Sequence, residues 1–194
     1  MLGSAVQPGI IRDGRLIGIT ERLASQTGLA VAVFGMVGLK AQIFSWRGGK
    51  RPLCTTGRAG FSGGQQEQLS NSAVGWLLLS TVTQPRRDSM IRHLNAEAAP
   101  EQKFCFSQMA ATVQQCREQG NAIGVAGFGS IADIAAVLIP GQPENQPLAL
   151  GFVYEPSELI DPIALLESLN DALVRGTEEQ FRASATVQPL FNVA

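Results

Sequence analysis

The stretch NAIGVAGFGSIADIAAVLI, residues 121–139, admits two readings, and the choice between them decides the fold. In one reading, Gly127-Phe-Gly129-Ser-Ile-Ala132 is a G-x-G-x-x-A turn between a strand and a helix. It would cradle a pyrophosphate, with Glu155 at the end of a later strand taking the ribose. In the other, the glycines make a plain turn and residues 131–139 form a strand. Three features favour the strand. Residues 131–139 are short for a crossover helix before Pro140-Gly141 stops them. Their Ile, Val and Ala content has little helical amphipathicity. Too little chain follows Glu155 to build further parallel strands.

The flanks extend the same picture. Leu16, Ile19 and Leu23 recur at helical spacing, and Gly28 follows as a stop. Residues 29–36 and 40–46 are rich in Val, Ile and Phe and read as paired strands around Val37-Gly38-Leu39. The Gly/Gln/Ser-rich residues 55–68 read as a long, functional or mobile loop around one short strand. Ser70 or Asn71 is expected to cap a helix running to about Thr83, apolar on most faces through Val74, Trp76, Leu77, Leu78 and Leu79, and therefore buried. Pro85 opens a polar helix. Ser107 starts another, with Met109, Val113 and Cys116 on one face and Gly120 at its end. Residues 147–154 read as a last strand. Asp161-Pro162 starts a final helix whose buried stripe is Ile163, Leu166, Leu169 and Leu173. The expected class is therefore α+β, an antiparallel sheet flanked by helices. Residues 1–13 read as a linker remnant, 14–182 as one domain and 183–194 as a flexible tail.

Composition narrows the chemistry. With 194 residues, 45% hydrophobic and a net charge of -1, the chain suits one globular domain without a global field for nucleic acid. Basic residues cluster only weakly, at residues 47–51 and at Arg86 with Arg87. The three cysteines, Cys54, Cys105 and Cys116, lack disulfide or CxxC spacing and fit a reducing cytoplasm. His93 is the single histidine, so neither a four-ligand zinc site nor a histidine-driven enzyme is expected. A thiol enzyme built from Cys105 or Cys116 with His93 lacks a nucleophile turn, and packing cysteines are the simpler reading. No cofactor or metal is expected. The apolar run 73–82 is about half the roughly 20 residues that span a bilayer, so no membrane partner is expected either.

Three stretches carry a family resemblance. Arg22-Leu-Ala-Ser-Gln-Thr-Gly28 before an apolar strand resembles "RLAEETG". Ser70-Asn-Ser-Ala-Val-Gly-Trp-Leu-Leu-Leu79 resembles "HATALGKALLA". Arg117-Glu-Gln-Gly120, Ile134-Ala-Ala-Val-Leu-Ile139 and Gln146-Pro-Leu-Ala-Leu-Gly-Phe-Val-Tyr-Glu-Pro156 resemble "RxxGY", "IAAPV" and "AALSVSGP" in order. The chain thus resembles the C-terminal effector-binding domain of IclR-type (isocitrate lyase regulator-type) transcription factors, from Gly14 to Thr177. Leu2-Gly3-Ser4-Ala5-Val6 resembles the end of the family linker.

The resemblance implies a GAF-like antiparallel sheet flanked by helices. It implies a domain that binds a small metabolite and assembles as a homodimer or homotetramer. DNA would be contacted only through a helix-turn-helix domain absent from these residues. It also implies the site. Backbone N–H groups at Ala73 and Val74, beside Ser72, would hold an effector's carboxylate at the helix start, where unpaired donors and the dipole favour anions. Trp76 stands where the family has lysine. Asp133 falls where some relatives have a polar pocket residue. Phe152 and Tyr154, two apart on one strand face, stand where acid-binding relatives have small hydroxyl residues. In the pocket, Asp133 would repel a carboxylate and the two rings would fill the space or line it; equally, the rings pack in the core and Asp133 faces solvent or pairs with an arginine. The expected effector is therefore neutral, aromatic or cationic, or there is none.

Overall fold

The computed structural model describes residues 14–54, 61–143 and 145–186. The expected linker 1–13 and the residues beyond 186 lie outside them. In chain order the elements are α1 (Arg15–Thr27), β1 (Ala30–Val37), β2 (Lys40–Arg47), β3 (Gln66–Gln68), α2 (Ala73–Ser80), α3 (Gln84–Glu97), α4 (Phe106–Gln119), β4 (Asn121–Val125), β5 (Asp133–Leu138), β6 (Leu148–Tyr154) and α5 (Pro162–Thr186). Short 3-10 turns, Leu69–Asn71 and Pro100–Gln102, precede α2 and α4.

The deciding stretch is a β-hairpin. Asp133 pairs with Val125 and Val137 with Asn121, antiparallel, and the Gly127–Gly129 turn joins the two strands. The sheet has six strands in the order β3-β2-β1-β6-β5-β4, and every neighbouring pair is antiparallel. This excludes the dinucleotide reading of Gly127, Gly129 and Ala132, which requires a helix after the turn and a parallel neighbour.

Both sheet faces are covered, because the strands carry apolar residues at odd and even positions alike. On one face Ala32, Phe34, Ile43, Ile134, Ala136 and Val153 pack against α2 and α4, with Ile91 and Leu94 of α3 behind them. This is called the cup face below. On the other, the back face, Val31, Val33, Val137, Leu150 and Phe152 pack against Leu16, Ile19 and Leu23 of α1 and Leu166, Leu169 and Leu173 of α5.

Local signals explain the elements. Gly28 ends α1 at φ 72° and donates its N–H to Ala24 O, a conformation that costs other residues energy. Gly120 ends α4 at φ 67° in the same way. Asp161 Oδ1 accepts the Ile163 N–H and so caps α5. Ile163 itself is 57% exposed, and Leu166 rather than Ile163 begins the buried stripe. Ser72 caps the central helix, rather than the expected Ser70 or Asn71, because residues 69–71 are taken up by the 3-10 turn. Among the described residues, no helix is long and apolar enough to cross a membrane.

Candidate effector site

The start of α2 lies under the cup face and is sealed by the protein itself. Ser72 is fully buried, and its hydroxyl oxygen accepts the Gly75 N–H at 3.1 Å. Ala73 and Val74 are fully buried. The half-buried Trp76 donates its indole N–H to Ser70 O at 2.9 Å, which anchors the ring. Onto this corner folds the Gly127–Gly129 turn. A Cβ on Gly127 would sit 3.1 Å from Ser72 Cβ and 3.2 Å from Asn71 O, and its φ is +76°, so a side chain there would be crowded and strained. Phe128 has φ 55°, the one non-glycine positive φ among the described residues. Glu67 staples it down. Glu67 Oε2 accepts the Phe128 N–H at 3.0 Å, and Oε1 accepts the Asn71 side-chain amide at 3.0 Å.

The cup face also holds a cavity. A strap from Gly48 to Cys54 crosses the ends of β1 and β2. Beneath it is a cavity of about 210 Å³ lined by Ala30, Trp46, Gly48, Gly49, Arg51, Pro52, Leu53 and Phe61. Trp46 and Phe61 stack with centroids 4.7 Å apart and planes 10° from parallel. Phe61 leads on to Phe128 at 6.0 Å, and Phe128 to Phe34 of β1 at 5.9 Å. The walls are thus apolar and aromatic, and Arg51 brings the one charged side chain among the described residues of the lining.

Both ends of the strap are tied. Lys50 N–H donates to Gly28 O at 2.8 Å, and a Cβ on Gly49 would lie 2.6 Å from that same oxygen. At the far end Cys54 N–H donates to Glu155 Oε1 at 3.0 Å. That backbone donor, then the Cys54 thiol, holds the Glu155 carboxyl below its ordinary value, with Arg51 adding to the effect.

The seven residues expected at the site divide between the two sheet faces. Ser72, Ala73, Val74 and Trp76 lie at the cup-face corner. Phe152 and Tyr154 do share one face of β6, but it is the back face, where they are buried with Leu166 and Leu169. Asp133 stands directly opposite Tyr154 in the β5–β6 register, and its neighbours at period two, Ala135 and Val137, also belong to the back face. Phe152, Tyr154 and Asp133 thus lie on the opposite sheet face from Ser72, Ala73, Val74 and Trp76, and the structure does not bring the two groups together. The strand presents Ala149, Gly151 and Val153 to the cup. A one-residue offset exchanges one set of side chains for the other. Tyr154 OH is buried without a hydrogen-bond partner, and burial, followed by the Asp133 charge, pushes its pKa up to about 12.

Sequence reading missed Trp46, Arg51, Phe61, Glu67 and Phe128. The available signal was the Gly-rich stretch 55–68, read as a functional loop, with aromatic residues at 46 and 61 beside it. His93 pairs with Glu97 at 3.0 Å on exposed α3, and Cys105 contacts Ser107 at 3.1 Å, so no thiol–imidazole pair is formed by these partners. Among the described residues, no cluster of three or more His, Cys, Asp or Glu has metal-binding geometry.

The six-stranded antiparallel sheet with helices on both faces matches a known architecture. The fold is that of the IclR effector domains. The effector domain of the transcriptional regulator IclR from Acinetobacter sp. ADP1 superposes with a TM-score of 0.71 at 21% identity, over 88% of this chain and 98% of that one. An IclR homolog from Microbacterium hydrocarbonoxydans, complexed with 4-hydroxybenzoate, gives 0.69 at 14% identity, over 94% of this chain and 72% of that one. The inducer-binding domain of a PobR double mutant from Acinetobacter, complexed with 3-hydroxybenzoic acid, gives 0.65 at 13% identity, over 87% and 95%. No sequence-family model matches the chain, and no curated protein matches it. The likeness to IclR effector domains is therefore one of fold, carried at low sequence identity.

Proposed function

We propose that this chain is the small-molecule-sensing and assembly domain of a bacterial IclR-type transcription regulator, acting in the cytoplasm. It works by binding rather than catalysis. DNA is contacted by a helix-turn-helix domain outside these residues. The observation that carries the reading is the strapped cavity of about 210 Å³ on the cup face of an IclR effector fold. An engineered apolar cavity of about 150 Å³ takes up benzene, so this one suits a single substituted ring. Two proteins of the same fold hold single-ring hydroxybenzoates. Trp46, Phe61 and Leu53 supply apolar surface, and Arg51 supplies a donor for a hydroxyl or carboxylate at the rim. With Asp133 on the back face, the described residues of the cavity lining include no carboxylate to repel an acid.

Binding regulates by favouring one of two conformations, and the strap is the element placed to differ between them. It touches the ligand space on one side and the end of α1, at Gly28, on the other. Assembly into dimers or tetramers is expected from the shared fold, and sedimentation velocity over a concentration series would measure it.

The reading is tested by thermal unfolding against aromatic acids, neutral aromatics, cations, keto acids and a nicotinamide dinucleotide. A ligand at about 100 times its Kd stabilises by roughly 2.7 kcal/mol, enough to move Tm by several degrees. A saturable shift with single-ring aromatics is expected. The absence of a shift with every class would refute the sensor reading.

A further inference from the structure

Residues 47–51 hold three cations, Arg47, Lys50 and Arg51, which by composition form only a weak basic cluster. The fold disperses them. Arg47 Nη2 donates to Glu21 Oε1 of α1 at 2.7 Å, so its charge is already matched. The Lys50 stem passes over Gly28, where a Cβ would lie 3.0 Å from Lys50 Cδ, and so belongs to the end of α1. Arg51 alone of the three lines the strapped cavity. It is in none of the ion pairs formed between described residues. The carboxylate its charge does act on is Glu155, whose Oε1 accepts the Cys54 N–H at 3.0 Å where the far end of the strap is tied.

The start of α2 offers an acid no alternative. The family resemblance puts an effector's carboxylate on the N–H groups of Ala73 and Val74. Here both residues are packed core, and Gly127 lies against Ser72 beside them. A ligand could reach those groups only by unpacking the core. The cavity under the strap has what an aromatic acid needs instead. Trp46 and Phe61 give it an apolar wall of stacked rings. Arg51 gives a planar fork whose two parallel N–H groups match a carboxylate.

We propose that Arg51 selects the ionised carboxylate of a single-ring acid, and that it serves as the anion receptor of this domain in place of the α2 start. Glu155 is its positioning residue. It ties the strap that carries Arg51 and competes with the ligand for the same positive charge. The inference rests on the sensor reading above and deepens it, choosing acids over neutral and cationic rings.

The test uses the full chain and calorimetry at neutral pH, where the acids are ionised. Kd is measured for benzoate and 4-hydroxybenzoate and for their neutral amides, benzamide and 4-hydroxybenzamide. Arg51 is exposed, so its substitution leaves the core intact. Wild type should bind each acid about tenfold or more tightly than its amide. Arg51→Gln should bring that ratio to about one, and Arg51→Lys should keep part of it, because an ammonium lacks the fork. Glu155→Gln still offers the Cys54 N–H an acceptor and removes the competing charge, so the ratio should rise by about twofold or more. Arg47→Gln should leave it unchanged. Equal binding of acid and amide by wild type, or an acid preference that survives Arg51→Gln, would overturn the proposal and leave the sensor reading standing. Equal losses in Arg47→Gln and Arg51→Gln would show a general field rather than a receptor and overturn it as well. Binding of none of the four compounds would overturn both.

Discussion

Tyr154 is the single tyrosine of the chain, which makes its phenol directly observable. Its hydroxyl is buried without a partner, and desolvation, aided by Asp133, pushes its pKa from 10.0 to about 12. The folded state therefore holds a proton that the unfolded state releases. The stabilisation is complete below the unfolded pKa near 10, and stability falls as pH rises towards the folded value of about 12. The loss should reach about 2 kcal/mol. Ultraviolet titration should show phenolate forming near pH 12 in the native protein and near 10 in urea. Tyr154→Phe should remove this part of the alkaline slope and leave stability at neutral pH unchanged or higher, since a buried hydroxyl without a partner costs free energy. A native midpoint near 10 would show that the hydroxyl is hydrated. At this scale the sequence was only half legible. Spacing showed that Phe152 and Tyr154 share a face. It did not show which face, because β6 is apolar at every position from Leu148 to Tyr154 and both of its sides are buried.

Among the elements, α2 was the most legible and its position the least. A helix apolar all round must be buried, and seven of its eight residues are. Its first turn was displaced by the 3-10 turn Leu69–Asn71, whose residues Ser70 and Asn71 are equally good caps by composition. Tertiary contact chose Ser72, because Gly127 packs onto it. Ser72→Ala should cost about 1–2 kcal/mol, read as a lower urea midpoint at an unchanged m-value, because the Gly75 N–H loses its acceptor in a dry site. A change below a few tenths of a kcal/mol would mean that the helix start rearranges to recover the bond. The strap makes a second prediction at this scale. Gly49→Ala should weaken binding of a single-ring acid more than it lowers Tm, because a methyl group there meets the Gly28 carbonyl at 2.6 Å and lifts the strap from the cavity. Equal affinity in wild type and variant would show that the strap is not part of the site.

Across the whole molecule, the thiols report on both surface and core. Cys54 and Cys105 are exposed, and Cys116 is buried between α4 and the cup-face core. Hydrogen bonds from Ser107 and the backbone lower the Cys105 pKa, contact with Glu155 raises that of Cys54, and burial raises that of Cys116 to about 11. Alkylation at neutral pH should therefore modify Cys105 first and Cys54 next. Cys116 should react only as the fold opens, so its rate in dilute urea measures global stability. Rapid labelling of Cys116 in native buffer would mean that α4 separates locally from the core.

The sequence by itself determined the class of fold, the turn at Gly127–Gly129, the apolar central helix and the α1 and α4 stops at Gly28 and Gly120. These follow from local geometry: the left-handed glycine, the period of apolar residues and the length of each run. Only the tertiary structure decided which face of β6 forms the cup, that Glu67 fastens the Phe128 turn beside the α2 start, and that Trp46, Phe61 and Arg51 line one cavity. Those facts depend on which strands pair, in what register, and on residues far apart in sequence meeting, as Cys54 and Glu155 do across 101 positions. Local periodicity carries no information about such meetings. The chain acquires them only when the two sheet faces compete for the same apolar strands and the helices settle on each side.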